Sequence, residues 1–270
     1  MRFGICGNTS IAAVAARESY DFAEWTVPAL LKPRESEDAF CAALNDLRAA
    51  RLRYPVANCF VPGDLKITGP EVDNSALQAY VRTTMERAER AGIEVIVFGS
   101  GGARRIPDGF DPRVAKEQII AFCRMVAPLA HDHGITVVVE PLNTAECNVL
   151  TTVDECAKLV NEVAHPAIRL LVDAYHLMLD GDSYDDIVTH GDLLAHVHIA
   201  TVPGRLAPGA EPCDFSRFFS ALANASYAGR ISIEGNITDP VTELHIALTV
   251  MREWAAAVID NDSNKPRRGE

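Results

Sequence analysis

Eight short apolar runs rich in β-formers, separated by stretches of helical periodicity, most restrict the folds open to this chain of 270 residues. The predicted strands are Phe3–Cys6, Phe22–Val27, Ala57–Phe60, Ile93–Phe98, Thr136–Val139, Ile168–Val172, Leu194–Ile199 and Ile231–Ile233. Between them apolar residues recur at helical spacing, as over Ala76–Ala91, Pro112–Gly134, Val153–Val163 and Phe215–Ala225. Gly92 and Gly134 stand where a helix must stop before a strand, since glycine accepts the left-handed geometry of a helix C-terminus. Alternating strands and helices build parallel sheets, as an open doubly wound sheet or a closed (β/α)₈ barrel. The open sheet favours a glycine-rich phosphate loop after its first strand. Here that stretch is Gly4-Ile5-Cys6-Gly7-Asn8-Thr9-Ser10, which matches neither GxGxxG nor GxxxxGK[ST]. The count of eight and a length near the ~250 residues typical of such barrels predict an α/β fold, a single-domain TIM barrel. It is expected over residues 1–258, with a polar tail at 259–270.

Hydrophobic residues make up 48% of the chain, enough for a full core. Against 37 Asp+Glu stand 25 Lys+Arg, a net charge of −12, so phosphate backbones are repelled and a nucleic-acid partner is not expected. The seven cysteines, at 6, 41, 59, 123, 147, 156 and 213, are odd in number and form no CxxC, which reads as reduced thiols. Met1-Arg2-Phe3-Gly4 enters a strand directly, without a signal-peptide pattern, and no apolar run is long enough to span a bilayer. A soluble, cytoplasmic protein with no membrane partner is expected.

The chemistry lies at the ends of the last four predicted strands. Val137-Val138-Val139 ends on Glu140, Leu170-Leu171-Val172 on Asp173, Ala195-His196-Val197 on His198, and Ile231-Ser232-Ile233 on Glu234. These residues are 33, 25 and 36 positions apart, each interval long enough for one helix and the next strand. In a parallel barrel all strand C-termini open onto one face, so four consecutive ends can converge on a point. Three converging carboxylates repel, and a divalent cation relieves the repulsion while an imidazole supplies a fourth ligand. Oxygen-rich coordination with one nitrogen suits Mn²⁺ or Mg²⁺, with Co²⁺ or Zn²⁺ as alternatives. Taken singly, each acid could instead be a helix N-cap in its βα loop. His196 lies two residues before His198 and so on the same side of its strand. It reads as a deeper core residue or a support for the ligand.

Glu140-Pro141-Leu142-Asn143, Val172-Asp173-Ala174-Tyr175-His176, His196-Val197-His198-Ile199-Ala200 and Ile233-Glu234-Gly235 together resemble the xylose isomerase-like sugar isomerase/epimerase superfamily. The nearest patterns are the ketose 3-epimerases and hydroxypyruvate isomerases. The resemblance is closest over residues 93–236. It implies a TIM barrel holding one divalent metal through Glu140, Asp173, His198 and Glu234, with Glu140 and Glu234 catalytic. It also implies substrate contacts from Glu146, His176 and Arg205, and often a homodimer or homotetramer. Two departures fall in the substrate-facing loop. Thr201 stands where many relatives carry an acid, and Ala210-Glu211-Pro212 replaces a Thr-Gly-Glu run. The segment 98–105 offers Arg104 or Arg105 to a substrate phosphate or carboxylate, with a plain flexible loop as the alternative reading.

The expected function is divalent-metal-dependent isomerisation or epimerisation of a ketose or keto-acid, by proton transfer through a metal-stabilised cis-enediolate. Glu140 and Glu234 would take and return the proton from opposite sides. An inosose dehydratase-type lyase using the same site and a non-catalytic sugar-binding barrel are the alternatives. An endonuclease IV-type repair enzyme would need further metal ligands and a basic face.

Overall fold

The computed structural model describes residues 1–263. Its strands are β1 (Arg2–Cys6), β2 (Phe22–Thr26), β3 (Val56–Asn58), β4 (Val95–Phe98), β5 (Thr136–Val139), β6 (Ile168–Asp173), β7 (Leu194–Ile199) and β8 (Arg230–Ile233). All pair in parallel in chain order, and β8 closes on β1 through registers such as Gly4↔Ser232. The helices are α1 (Thr9–Arg17), α2 (Val27–Leu30), α3 (Glu37–Ala49), α4 (Asn74–Ala91), α5 (Gly101–Arg104) and α6 (Pro112–Asp132). After them come α7 (Val153–Val163), α8 (Ala174–Asp180), α9 (Tyr184–Thr189), α10 (Ser216–Asn224) and α11 (Pro240–Ser263). The fold is the expected (β/α)₈ TIM barrel.

Local chemistry explains where the boundaries shift. Asp73 caps α4 by accepting from Ser75 and Ala76 N–H at 2.9 and 3.0 Å, so that helix starts before Ala76. Gly92, at φ +72°, ends it, and β4 begins at Val95 rather than Ile93 because the Ile93 N–H still bonds back to Ala88. Cys59 takes φ +52°, which ends β3 at Asn58, two residues before the expected Phe60. Thr26 caps α2, so β2 stops there instead of at Val27. Helix α11 runs to Ser263, into the stretch read as a polar tail, and residues 264–270 of that stretch lie outside the described residues.

Two apolar layers hold the barrel. Helix faces pack on the outside of the sheet around Phe40, Phe60, Phe98, Phe218 and Phe219. Inside, Phe22, Val56, Val95, Val97, Val138 and Leu171 form a separate apolar floor. Side chains alternate along a strand, so two residues beyond each floor position the chain points inward again, nearer the mouth. On β2, β3, β5 and β6 those positions are Glu24, Asn58, Glu140 and Asp173, while on β4 they are Val97 and Gly99, so a largely polar layer lies on the apolar floor.

Arg104 corrects the reading of the loop after β4. It is fully buried, not presented to a ligand. Its Nη1 donates to the Phe98 carbonyl at 3.0 Å, and its Nη2 donates to the Glu140 and Leu150 carbonyls at 2.7 and 3.2 Å. The guanidinium thus ties the end of β4 to the backbone of Glu140. Arg104→Leu would leave the buried Glu140 carbonyl without a partner and take a charged donor from the Phe98 and Leu150 carbonyls, which keep only the N–H groups of Glu140 and Leu142 at 3.3 and 3.2 Å, each lost bond costing about 1–3 kcal/mol. The expected loss is about 3 kcal/mol or more of unfolding free energy, read from urea titration, and a loss below about 1 kcal/mol would contradict this role.

Candidate metal centre and active site

Glu140, Asp173, His198 and Glu234 all reach the same mouth, as the strand-end spacing predicts. Each follows an inward residue by two positions, and the registers Asp173↔His198 and His198↔Ser232 bring β6, β7 and β8 level. Donor atoms of Glu140, Asp173, His176 and Glu234 lie within 4.8 Å of one another. His176, expected only as a substrate contact, therefore occupies a place in this group where His198 was expected. His198 abuts it instead, with Nδ1 at 3.2 Å from Glu140 Oε1 and 3.7 Å from Glu234 Oε2.

Space for the Glu140 carboxylate comes from Gly99. A Cβ at that position would sit 2.2 Å from Glu140 Oε2, so a side chain there would displace the carboxylate from this place. Asp173 caps a helix and still keeps one oxygen free. Its Oδ1 caps α8 through the Tyr175 N–H at 2.8 Å, while its buried Oδ2 has no hydrogen-bond partner.

Hydrogen bonding assigns the two imidazoles different jobs. The Asn143 backbone N–H can only donate, and it points at His176 Nδ1 at 3.2 Å, with Asn143 Nδ2 at 2.8 Å from the same atom. The neutral His176 ring therefore carries its proton on Nε2, which is buried without a hydrogen bond, 3.5 Å from Asp173 Oδ2. His198 is the reverse case. Its Nε2 faces Glu24 Oε1 at 2.9 Å and keeps a proton there, leaving Nδ1 for the mouth.

Arg205 and Glu146 complete the rim. Arg205 donates to Glu234 Oε2 at 2.7 Å and Glu146 Oε1 at 2.9 Å, and lies over the Tyr175 ring at 4.7 Å. Asn143 Nδ2 also donates to Glu146 Oε1, at 3.0 Å. The loop carrying Arg205 is clasped from within, where Glu211 Oε1 accepts from Thr201 Oγ1 at 2.5 Å and Gly204 N–H at 2.8 Å. Both departures from the family pattern thus meet in one contact. Arg105 donates to the Ala145 and Glu146 carbonyls at 3.3 and 2.9 Å, which braces the Glu146 loop.

Three residues near the mouth were missed. Glu24 lies fully buried on β2 beneath His198, and Asn58 at the end of β3 donates to Glu234 Oε1 at 3.0 Å. Cys6, at the end of β1, brings its sulfur within 4.8 Å of donor atoms of His198 and Glu234. The available signal was a lone polar residue in each apolar run, in Phe22-Ala23-Glu24 and Val56-Ala57-Asn58. His196 bonds to Glu24 Oε2 at 2.9 Å, the buried supporting place read for it.

Charge crowding shows in the acids. Burial, reinforced by Glu140 and Asp173, raises Glu234 to about 7. Burial also raises Asp173. Glu140 is just as enclosed, yet its hydrogen bond to His198 holds it below the usual range. His198 overcomes the same desolvation because Glu24 and Glu234 face it, and its pKa lies well above that of an ordinary imidazole.

The residues fit a divalent cation. Three carboxylates converge, Asp173 Oδ2 is unsatisfied, and one imidazole turns a ring nitrogen inward. Fold and mouth together define a TIM-barrel enzyme with an acidic, buried centre. The family model described as xylose isomerase-like TIM barrel matches residues 12–254. The chain belongs to that family, among its epimerases and isomerases. It is 30% identical to the L-ribulose 3-epimerase of Methylomonas sp. (strain DH-1) over 245 residues, 87% of this chain and 81% of that protein. It is 31% identical to the D-psicose 3-epimerase of Agrobacterium fabrum over 110 residues, 40% of this chain but only 38% of that one. The structure of an L-ribulose 3-epimerase superposes with a TM-score of 0.80 at 16% identity, covering 100% of this chain and 99% of that one, a likeness of fold. Among the described residues no helix is long and apolar enough to cross a membrane.

The raised Glu234 gives a signed prediction. The native state binds its proton more tightly than the unfolded chain, so the stability it contributes is lost as pH rises through about 7. Without divalent ions, Glu234→Gln should gain thermal stability relative to wild type between about pH 5 and about pH 8. A stability difference that is flat across that range would refute the assignment.

Proposed function

We propose that this protein is a divalent-metal-dependent isomerase or epimerase of a ketose or keto-acid sugar. The observation that carries the proposal is the convergence of the Glu140, Asp173 and Glu234 carboxylates, with Asp173 Oδ2 unsatisfied, beside the inward nitrogen of His198, 3.2 Å from Glu140 and 3.7 Å from Glu234. Glu140, Asp173, His198 and Glu234 would hold one ion, Mn²⁺ or Mg²⁺ before Co²⁺ or Zn²⁺ on the hardness of the donors. When bound, that ion supplies Lewis-acid stabilisation of the negative charge that grows on a substrate oxygen as the neighbouring carbon loses its proton. His198 is preferred over His176 as the nitrogen ligand because Glu24 holds its proton on Nε2, so the proton a cation displaces is the one on the mouth-facing Nδ1, whereas the Asn143 N–H keeps the His176 proton on the mouth-facing Nε2.

The chain's own groups then divide the work. His176 Nε2–H serves as a donor to a substrate oxygen. Arg205, held flat on Tyr175, presents its guanidinium beside Glu234, and Glu146 orients it from the other side. Glu140 and Glu234 pass the carbon-bound proton, one removing it and the other returning one. Burial of Glu140 and partial burial of Glu234 limit the bulk water that competes for that proton. The L-ribulose and D-psicose 3-epimerase relatives support a free ketose as substrate. Seven free cysteines suit a reducing, cytoplasmic setting. A homodimer or homotetramer goes with the family reading.

Mn²⁺-loaded protein incubated with a panel of ketoses in D₂O should place deuterium on the carbon next to the carbonyl and yield an epimer or isomer. Loss of water from the substrate would identify a lyase, and no exchange with any sugar would leave only a binding barrel. Glu140→Gln and Glu234→Gln should each lower exchange by about 10²–10⁴-fold while still taking up metal. Near-wild-type turnover in either variant would sink the assignment of that glutamate.

A further inference from the structure

We infer that Glu24, on the far side of His198 from the mouth, is a positioning residue that fixes which ring nitrogen His198 offers to a metal. The inference rests on the metal reading of this site. Glu24 is inward-facing on β2 because it follows Phe22 by two positions, and Phe22 belongs to the apolar floor. Its Oε1 accepts from His198 Nε2 at 2.9 Å. Its Oε2 is held by two further groups, His196 Nε2 at 2.9 Å and Ser232 Oγ at 2.7 Å. All four residues are fully buried, at 0% exposure.

An ionised carboxylate accepts hydrogen bonds and donates none. The His198 proton must therefore stay on Nε2, and the lone pair of the neutral ring falls on Nδ1, between Glu140 and Glu234. His196 and Ser232 act one step further out, since both anchor the second oxygen of Glu24 and stop the carboxylate from rotating. His196 Nδ1 has no partner, so that ring is held through Nε2 alone, by Glu24 at 2.9 Å and Ser232 Oγ at 3.3 Å. Packing alone does not call for this network. A buried ionic cluster is seldom more stable than apolar residues of like volume, and the floor beneath is already apolar. What the carboxylate adds is a defined tautomer and a more basic ligand, and loss of such a partner typically weakens metal binding 10–100-fold.

Glu24→Gln preserves the shape and removes the constraint. A glutamine offers one acceptor and one NH₂, so His198 can be met by a donor and driven to carry its proton on Nδ1, the metal side. Calorimetric titration of metal-free wild type and Glu24→Gln with Mn²⁺, at a temperature where both are folded, should show affinity about 10–100-fold lower in the variant. In metal-free protein with ¹⁵N-labelled histidine, at a pH where the His198 ring is neutral, wild-type His198 should show its proton on Nε2 and the variant should not, a signature that a purely structural role would leave unmoved. Equal Mn²⁺ affinity in the two proteins, or the same His198 tautomer in both, overturns the role of Glu24. Wild type that takes up no Mn²⁺ overturns the metal reading itself, and this inference with it. If Glu24→Gln does not fold, Glu24→Asp keeps the charge but withdraws it from His198 by one methylene. It should weaken Mn²⁺ binding in the same direction, and unchanged affinity there also counts against the inference.

Discussion

Mutual repulsion among Glu140, Asp173 and Glu234 is the constraint around which the rest of the molecule is arranged. Closing β8 onto β1 leaves these acids no choice but to share one mouth, largely out of contact with water. Isolated charges in such a place would be prohibitive, so cations and donors are gathered around them. His198 lies against Glu140 and Glu234, Arg205 and Asn58 take the two oxygens of Glu234, and His176 faces Asp173. The raised Glu234 and Asp173 mark the charge these groups leave unbalanced, and a divalent cation is what would balance it.

The barrel makes that arrangement rigid from below and from the side. An apolar floor of Phe22, Val56, Val95, Val97, Val138 and Leu171 supports the polar layer containing Glu24, His196 and Ser232. Arg104 clamps the carbonyls of Phe98, Glu140 and Leu150, so the backbone that aims Glu140 is held by a buried cation and not by loop packing alone. The rim groups come from loops and α8, and they are rigid only through one another. Arg205 rests on Tyr175 and Glu146, and Glu146 on Asn143, which also sets the proton of His176. The separation is chemically sensible: the acids proposed to exchange protons sit at strand ends, and the groups proposed to meet substrate ride on connecting segments.

Glu140, Asp173, His198 and Glu234 were readable from the chain because each ends an apolar run, and strand periodicity carries that regularity into space. His176 was readable as a contact but not as a close neighbour of Asp173, because helix α8 folds it back over the strand end. Arg104 misled. A basic residue in a glycine-rich loop reads as an anion site, and nothing local shows that three carbonyls from distant segments will surround it. Glu24 and Asn58 passed unnoticed for a related reason. Each is a lone polar residue in a short strand, and its meaning comes from His198 and Glu234, 174 and 176 positions away.

By itself the sequence determined the alternation of strand and helix, the eightfold count, and which residues stand at the last four strand ends. These follow from short-range rules, periodicity and capping, that act within a few residues. Tertiary structure alone decided which nitrogen of each imidazole is free, which carboxylate oxygen is left without a partner, and which arginine is a clamp instead of a ligand. Those depend on closure of the sheet, which sets residues of β1, β2 and β3 opposite residues of β7 and β8 across a few ångströms. Hydrogen-bond direction and charge repulsion act over just that range, and separation along the chain does not encode it.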